Sequence, residues 1–198
     1  MTLTDILRRE HDLITRALDV LRGVSDAPDA PGAQHAAERL VAFFRDFADG
    51  AHHAREEGAL FPALQSRGLP REGGPVGCML REHDEGRRLV GHMARCVEVG
   101  LVDRESREAF REAARDYAIL LGQHIFKENH VLFDMADRVL PPELAARLGA
   151  DHRESHEAAM EAHANDIAEL ARRFLSAEPV EASAGEHADE HLGHHVRQ

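Results

Sequence analysis

The sequence contains two matching stretches, HHAREEGALF at residues 52–61 and HIFKENHVLF at residues 124–133, with an offset of 72 residues. In both stretches a histidine is followed four residues later by a glutamate and eight residues later by Leu-Phe. Residues four apart lie on the same face of an α-helix, so each stretch predicts a helix that presents a histidine and a glutamate side by side. The repetition predicts that one structural unit occurs twice in the chain.

A second pair of matching stretches precedes the first pair with the same offset. Arg-Glu-His-Asp occurs at residues 9–12 and again at residues 81–84. In both cases its histidine lies 41 residues before the first histidine of the longer stretch. Each half of the chain therefore supplies two histidines and one glutamate at equivalent positions.

Apolar residues recur at steps of three and four over several long segments, and no long segment alternates with a period of two, so the chain is predicted to be all-α. Four helices are expected, at about residues 3–23, 33–66, 76–99 and 106–139. Long helices joined by short loops rich in glycine and proline predict an antiparallel four-helix bundle. Pro62 is expected to bend the second helix near its end, and Val131 is expected to face the core.

The chain is predicted to divide into three parts. A bundle is expected at residues 1–140, a C-terminal helical extension at residues 141–175, and a disordered, histidine-rich tail at residues 176–198. Pro141 and Pro142 are expected to stop the fourth helix and to start a short helical turn that ends at Gly149. A separate helix is expected at residues 151–175.

The repeated polar residues fall on the apolar faces of these helices. His11 lies on the stripe of Leu7 and Ile14, and His52 extends that of Phe44 and Ala48. Burying ionised carboxylates without partners costs several kcal/mol each, so such an arrangement requires compensation. A metal centre is favoured over a dry polar network, and the candidate ligands are His11, His52, Glu56, His83, His124 and Glu128. Imidazole and carboxylate without thiolate suit iron, manganese or zinc.

The composition excludes several classes of partner. The formal net charge is −12 with no block of basic residues, so neither nucleic acid nor an anionic membrane is an expected partner. No apolar stretch approaches the ~20 residues that cross a bilayer, and residues 1–12 lack the features of a secretory signal. We expect a soluble cytoplasmic protein, in which Cys78 and Cys96 are small core residues without a chemical role.

The two Glu-His-Asp stretches and the two longer stretches together resemble the hemerythrin-like, HHE cation-binding family, over about residues 3–140. The resemblance implies a four-helix bundle around an oxo- or hydroxo-bridged, non-haem pair of iron ions. The ligand set that it implies is His11 and His52 on one iron, His83 and His124 on the other, and Glu56 and Glu128 as bridges.

At one ligand position the sequence departs from the oxygen-carrying hemerythrins, because Arg87 stands where they have a further histidine. The equivalent position of the other half is Thr15. With no third imidazole expected in either half, both irons are predicted to keep a place for a small ligand. The remaining set is similar to the four-His, two-Glu centres of bacterial iron-sulfur cluster repair proteins.

The resemblance implies a protein that binds, senses or scavenges dioxygen or nitric oxide. The alternatives are an enzyme that acts on nitric oxide or peroxide or donates iron for cluster repair, and a metal-buffering bundle with iron as its cargo. Whether the protein is an enzyme stays open at this point.

Several further residues have weaker expected roles. His53 and Glu57 are rotated by about 100° from the core-facing register, which predicts a place behind the ligands or at the surface. Carboxylates next to the ligands can orient an imidazole by accepting its free N–H or can lie on a solvated face; they are Glu10, Asp12, Glu82 and Asp84. Tyr117 is expected to fill the core rather than to contact a bound ligand. The histidines expected at the surface or in the tail, where metal binding would be weak, are His152, His156, His187, His191 and His195.

Overall fold

A computed structural model describes residues 1–175 of the protein, and this part of the chain consists of five helices without a β-strand. The helices are α1 at Leu3–Asp26, α2 at residues 33–65, α3 at Gly74–Val99, α4 at residues 104–139 and α5 at Pro142–Phe174. The predicted all-α bundle is confirmed, and the predicted disordered tail lies outside the described residues. None of the described helices combines the length and the apolar character needed to cross a membrane.

Two apolar clusters fill the bundle, one on either side of a polar layer that every helix crosses. The smaller cluster consists of Leu3, Leu7, Leu60, Phe61, Leu64, Val76, Met79, Leu132, Phe133, Ala136 and Leu140. Along α1 the smaller cluster comes before His11 and the larger cluster after it. The order is reversed in α2, restored in α3 and reversed again in α4, so successive helices are antiparallel. Cys78 and Cys96 are free thiols that pack against these clusters.

The start of α1 shows how local sequence determines a helix end. The Thr2 hydroxyl accepts a hydrogen bond from the Asp5 backbone N–H at 3.2 Å, and the Asp5 carboxylate accepts one from the Thr2 N–H at 2.8 Å. This capping box satisfies backbone donors that the first turn leaves unpaired. It places His11 two turns into the helix.

Helices α2 and α4 change to π-helical geometry where they cross the polar layer. The π-helical segments are Phe44–His53 and Glu56–Leu60 in α2 and Glu128–Leu132 in α4. A π turn contains one more residue than an α turn and therefore rotates the side chains that follow. For this reason the expectation for Val131 is wrong: its side chain is exposed, and Leu132 and Phe133 enter the core instead. Pro62 lies where α2 returns to α-helical geometry.

The C-terminal region also differs from expectation, because α5 is one continuous helix and not a short turn followed by a second helix. Gly149 does not end the helix; it lies against the start of α1, where an added Cβ would be 2.8 Å from the Thr2 carbonyl carbon. The glycine therefore serves close packing between two helices. Further along α5, Ile167, Leu170 and Ala171 are buried in the larger cluster.

The close approach at Gly149 predicts a measurable loss of stability in Gly149→Ala. Overpacking against backbone costs about 1–3 kcal/mol, which lowers the melting temperature by roughly 2–4 °C per kcal/mol for a chain of this size. Gly122→Ala in α4 is the matched control, because the nearest atom to its added Cβ is the end of the Arg22 side chain at 3.9 Å. Thermal unfolding followed by circular dichroism tests the pair, and equal melting temperatures would contradict the packing role of Gly149.

Candidate metal centre

The polar layer between the two apolar clusters contains every ligand candidate proposed from the sequence. Each of them is at most 1% exposed, and they are His11, His52, Glu56, His83, His124 and Glu128. The four antiparallel helices bring these side chains together from positions as much as 117 residues apart in the sequence. Their role as ligands stays a prediction.

The four imidazoles form two pairs that face each other through their Nε2 atoms. His11 Nε2 lies 3.0 Å from His52 Nε2, and His83 Nε2 lies 3.2 Å from His124 Nε2. Each pair joins the two histidines of one half of the duplication. Nitrogen atoms at this separation can share a proton or a cation, because two facing lone pairs would repel each other.

The two glutamates link the halves. Glu56 approaches His52 at 3.6 Å and His83 at 3.3 Å. Glu128 approaches His11 at 3.2 Å and His124 at 3.1 Å. None of these approaches has hydrogen-bond geometry, and all four carboxylate oxygens are buried without a hydrogen-bond partner. Buried carboxylates in this state are costly unless a cation compensates them, so the donor set fits a metal centre.

A hydrogen-bond acceptor behind each imidazole orients it. The Nδ1 atoms of His52 and His124 lie 3.0 Å from the carboxylates of Glu10 and Glu82, two of the four acidic candidates; Asp12 and Asp84 are exposed instead. The other two acceptors are Glu57 behind His83 and Asn129 behind His11, both at 2.8 Å. A place behind the ligands was one of the two expectations for Glu57, whereas Asn129 was not anticipated. With Nδ1–H donating to these oxygens, each Nε2 carries the lone pair that a metal needs. Asn129 and Glu57 occupy equivalent positions of the duplication, so the sequence contained a signal that both lie behind a ligand histidine.

The carboxylate acceptors are ionised at neutral pH. A hydrogen bond from His83 lowers the pKa of Glu57 to about 2. Burial opposes the charged form of Glu82, but hydrogen bonds from His124 and Lys127 lower its pKa to about 2. Inside the layer, burial opposes protonation of His124, yet attraction by Glu128 raises the pKa of His124 to about 10. A metal ion that binds these imidazoles has to displace any proton on the binding nitrogen, so metal binding releases protons.

His53 is buried inside the layer, so of its two expected places, behind the ligands or at the surface, the surface is wrong. Its ring stacks on that of His83 with centroids 3.9 Å apart, and its Nε2 has no hydrogen-bond partner. The π-helical turn that ends at His53 rotates its side chain relative to the α-helical register assumed from the sequence. Two groups of side chains within the described residues have the spacing to hold a metal ion: His11, His52, Glu56 and Glu128, and His53, Glu56, His83 and His124.

His156 also departs from expectation, because it is buried rather than exposed at the surface. Its Nδ1 lies 2.8 Å from Glu10, which also accepts a hydrogen bond from Arg55 at 2.8 Å. Burial opposes the charged form of Glu10, but hydrogen bonds from His52 and His156 and the charge of Arg55 lower its pKa. Helix α5 therefore supports the carboxylate that orients His52. His152, one turn earlier, is only half-buried.

A family model described as hemerythrin HHE cation binding domain matches residues 2–136. The chain belongs to the hemerythrin HHE cation-binding family. The match spans α1 to α4 almost completely and includes both groups of candidate ligands. No curated protein and no solved structure matches the chain significantly. Family membership and the buried histidine and glutamate clusters together identify a metal-binding helical protein of the type that holds iron.

A cavity of about 290 Å³ in this hemerythrin domain is lined by residues of α2, α3 and α4 and has His53, Tyr117, Asp49 and Arg87 in its wall. Tyr117 packs edge-on against Phe44 at 4.8 Å, and burial raises the pKa of its hydroxyl, so it belongs to the core and also lines the cavity. A larger hollow of about 490 Å³ beside Arg22 and Arg111 contains none of the candidate ligands.

Proposed function

We propose that this hemerythrin-family chain is a non-haem di-iron protein that binds dioxygen or nitric oxide at its iron pair, in order to sense or scavenge it. The observation that carries the proposal is the sharing of Glu56 between two groups of four potential ligands. A carboxylate common to both groups suits two metal ions held close together, and imidazole with carboxylate suits iron. The sequence-based expectation of a cytoplasmic location is part of this proposal.

The chain's own residues would hold and orient the metal pair. The paired imidazoles and the two glutamates supply the donors, and the acceptors behind the imidazoles prevent the rings from turning. On the side of the smaller cluster, Phe133 stacks on His11 at 5.4 Å and Phe61 on His83 at 5.8 Å, so bulk water is excluded there. When bound, reduced iron supplies the electrons and the coordination place that a diatomic ligand requires.

The cavity beside His53 offers a route for a small ligand. Its volume of about 290 Å³ exceeds that of a diatomic molecule, and Val90 and Tyr117 give part of its wall an apolar or aromatic character. In the same wall, Arg87 donates to Asp49 at 2.8 Å, and it also donates to Asp84 at 3.0 Å. The apolar part of the wall suits an uncharged diatomic molecule.

The proposal predicts about two iron ions per chain in protein produced with ample iron, because two groups of donors are present. The reduced protein is exposed without air to dioxygen, nitric oxide or peroxide in separate samples, and absorption of the iron bridge and ligand consumption are recorded. Reversible uptake near one ligand per iron pair supports binding, and metal-free protein serves as the control. Sustained consumption of nitric oxide or peroxide would support the alternative of a di-iron enzyme, and release of iron to an acceptor would support iron donation.

A further inference from the structure

We propose that His53 is a fifth imidazole ligand, on the same metal as His83 and His124, and that the two metals of the centre are therefore inequivalent. The inference rests on the proposed metal pair and specifies its ligands. Three observations about His53 carry it: its unpaired Nε2, the acceptor behind its ring and the residue at the equivalent position of the other half.

The Nε2 atom of His53 is buried and unpaired. The side chain is 3% exposed, and this nitrogen has no hydrogen-bond partner. One of the two ring nitrogens of His53 lies within 4.8 Å of the donor atoms of Glu56, His83 and His124. A buried imidazole without a partner is costly unless something binds it.

The surroundings of Nδ1 match those of the four other histidines. The Nδ1 atom of His53 lies 3.4 Å from the carboxylate of Asp49, as the others lie next to a carboxylate or an amide oxygen. Arg87 holds this carboxylate through its Nε at 2.8 Å and also donates to Glu57 at 2.5 Å. One guanidinium thus holds the acceptors behind both stacked imidazoles, His53 and His83. Such support is typical of residues that bind a metal.

The duplication makes the centre asymmetric. The position equivalent to His53 in the other half is Ile125, whose apolar side chain belongs to the larger cluster. One metal would then have three imidazoles near Glu56, and the other would have two imidazoles with Glu56 and Glu128. The expectation of a free place on both metals assumed that no third imidazole is present. With His53 bound, the metal at His11 and His52 becomes the preferred place for a small ligand.

Stacking alone would be the other role for His53, since its ring supports that of His83. A count of metal-bound imidazoles separates the two roles. In protein loaded with Co²⁺, each bound histidine whose Nδ1–H is retained gives an exchangeable proton NMR signal that the paramagnetic metal shifts strongly. We expect five such signals in the wild type, from His11, His52, His53, His83 and His124.

Two variants complete the experiment. His53→Phe keeps an aromatic ring for stacking and removes the nitrogen, and His53→Ala removes both; each is expected to show four signals. His35→Ala changes an exposed histidine and should keep five. Two bound Co²⁺ ions with four signals in the wild type would overturn the assignment of His53 while leaving the metal pair intact. Fewer than two bound ions in the wild type would instead contradict the proposed di-metal centre.

Discussion

Glu56→Ala and Glu128→Ala are each expected to lower the metal content from two ions per chain to below one. Each carboxylate approaches one imidazole from both halves of the duplication, so its removal weakens both metal sites. Changes in the residues behind metal ligands typically cost about 10–100-fold in affinity. Loss of a shared, negatively charged ligand is expected to exceed that range, because it also removes charge that balances the metals.

Metal analysis after exhaustive dialysis measures this effect, and the difference in melting temperature between loaded and metal-free protein provides a second readout. Glu85→Ala is a suitable control, since this glutamate lies on the exposed face of α3 and pairs only with Arg88. It should retain both ions. Full occupancy in both Glu56→Ala and Glu128→Ala would show that these residues are not the bridging ligands.

Removal of residues 142–198 is expected to destabilise the whole bundle, whereas removal of residues 176–198 is expected to leave the metal centre intact. Helix α5 buries Ile167 and Leu170 in the larger cluster, and burial of such a side chain contributes about 1.5–3 kcal/mol. Together with the exposed surface left on α1, that loss is a large part of the roughly 5–15 kcal/mol that stabilises a typical domain. The shorter deletion removes none of the candidate ligands.

Circular dichroism, melting temperature and metal content of the two shortened chains test this prediction. His156→Ala in the full chain is the informative point variant, because it removes the contact from α5 to Glu10 while leaving the apolar packing of α5 in place. This variant should fold like the wild type but bind metal with lower affinity. A stable, metal-binding chain of residues 1–141 would show that α5 is a separable extension, as the predicted domain division states. A lost metal spectrum after removal of residues 176–198 would place a ligand in that segment.

The duplicated motif identified six buried side chains of the polar layer without any knowledge of the fold. The reason is that their spacing is local: a histidine and a glutamate four residues apart occupy one face of one helix. The same duplication, applied to Asn129 and Glu57, would also have identified the two acceptors behind His11 and His83. Helix periodicity was likewise sufficient for the bundle, since the apolar stripes predict which face of each helix is buried.

His53 and His156 show what local spacing does not reveal. The register of His53 depends on a π-helical turn, and a prediction with a constant rotation per residue places its side chain on the wrong face. His156 becomes part of the layer only because α5 packs along α1 and brings it to Glu10, 146 residues away in the sequence. Apolar residues at steps of three and four, together with the duplicated histidines and glutamates on the same faces, thus predict an all-α bundle with a polar layer. Which further imidazole enters that layer, and which helix supports it, depends on packing between helices, because these contacts join residues with no fixed separation along the chain.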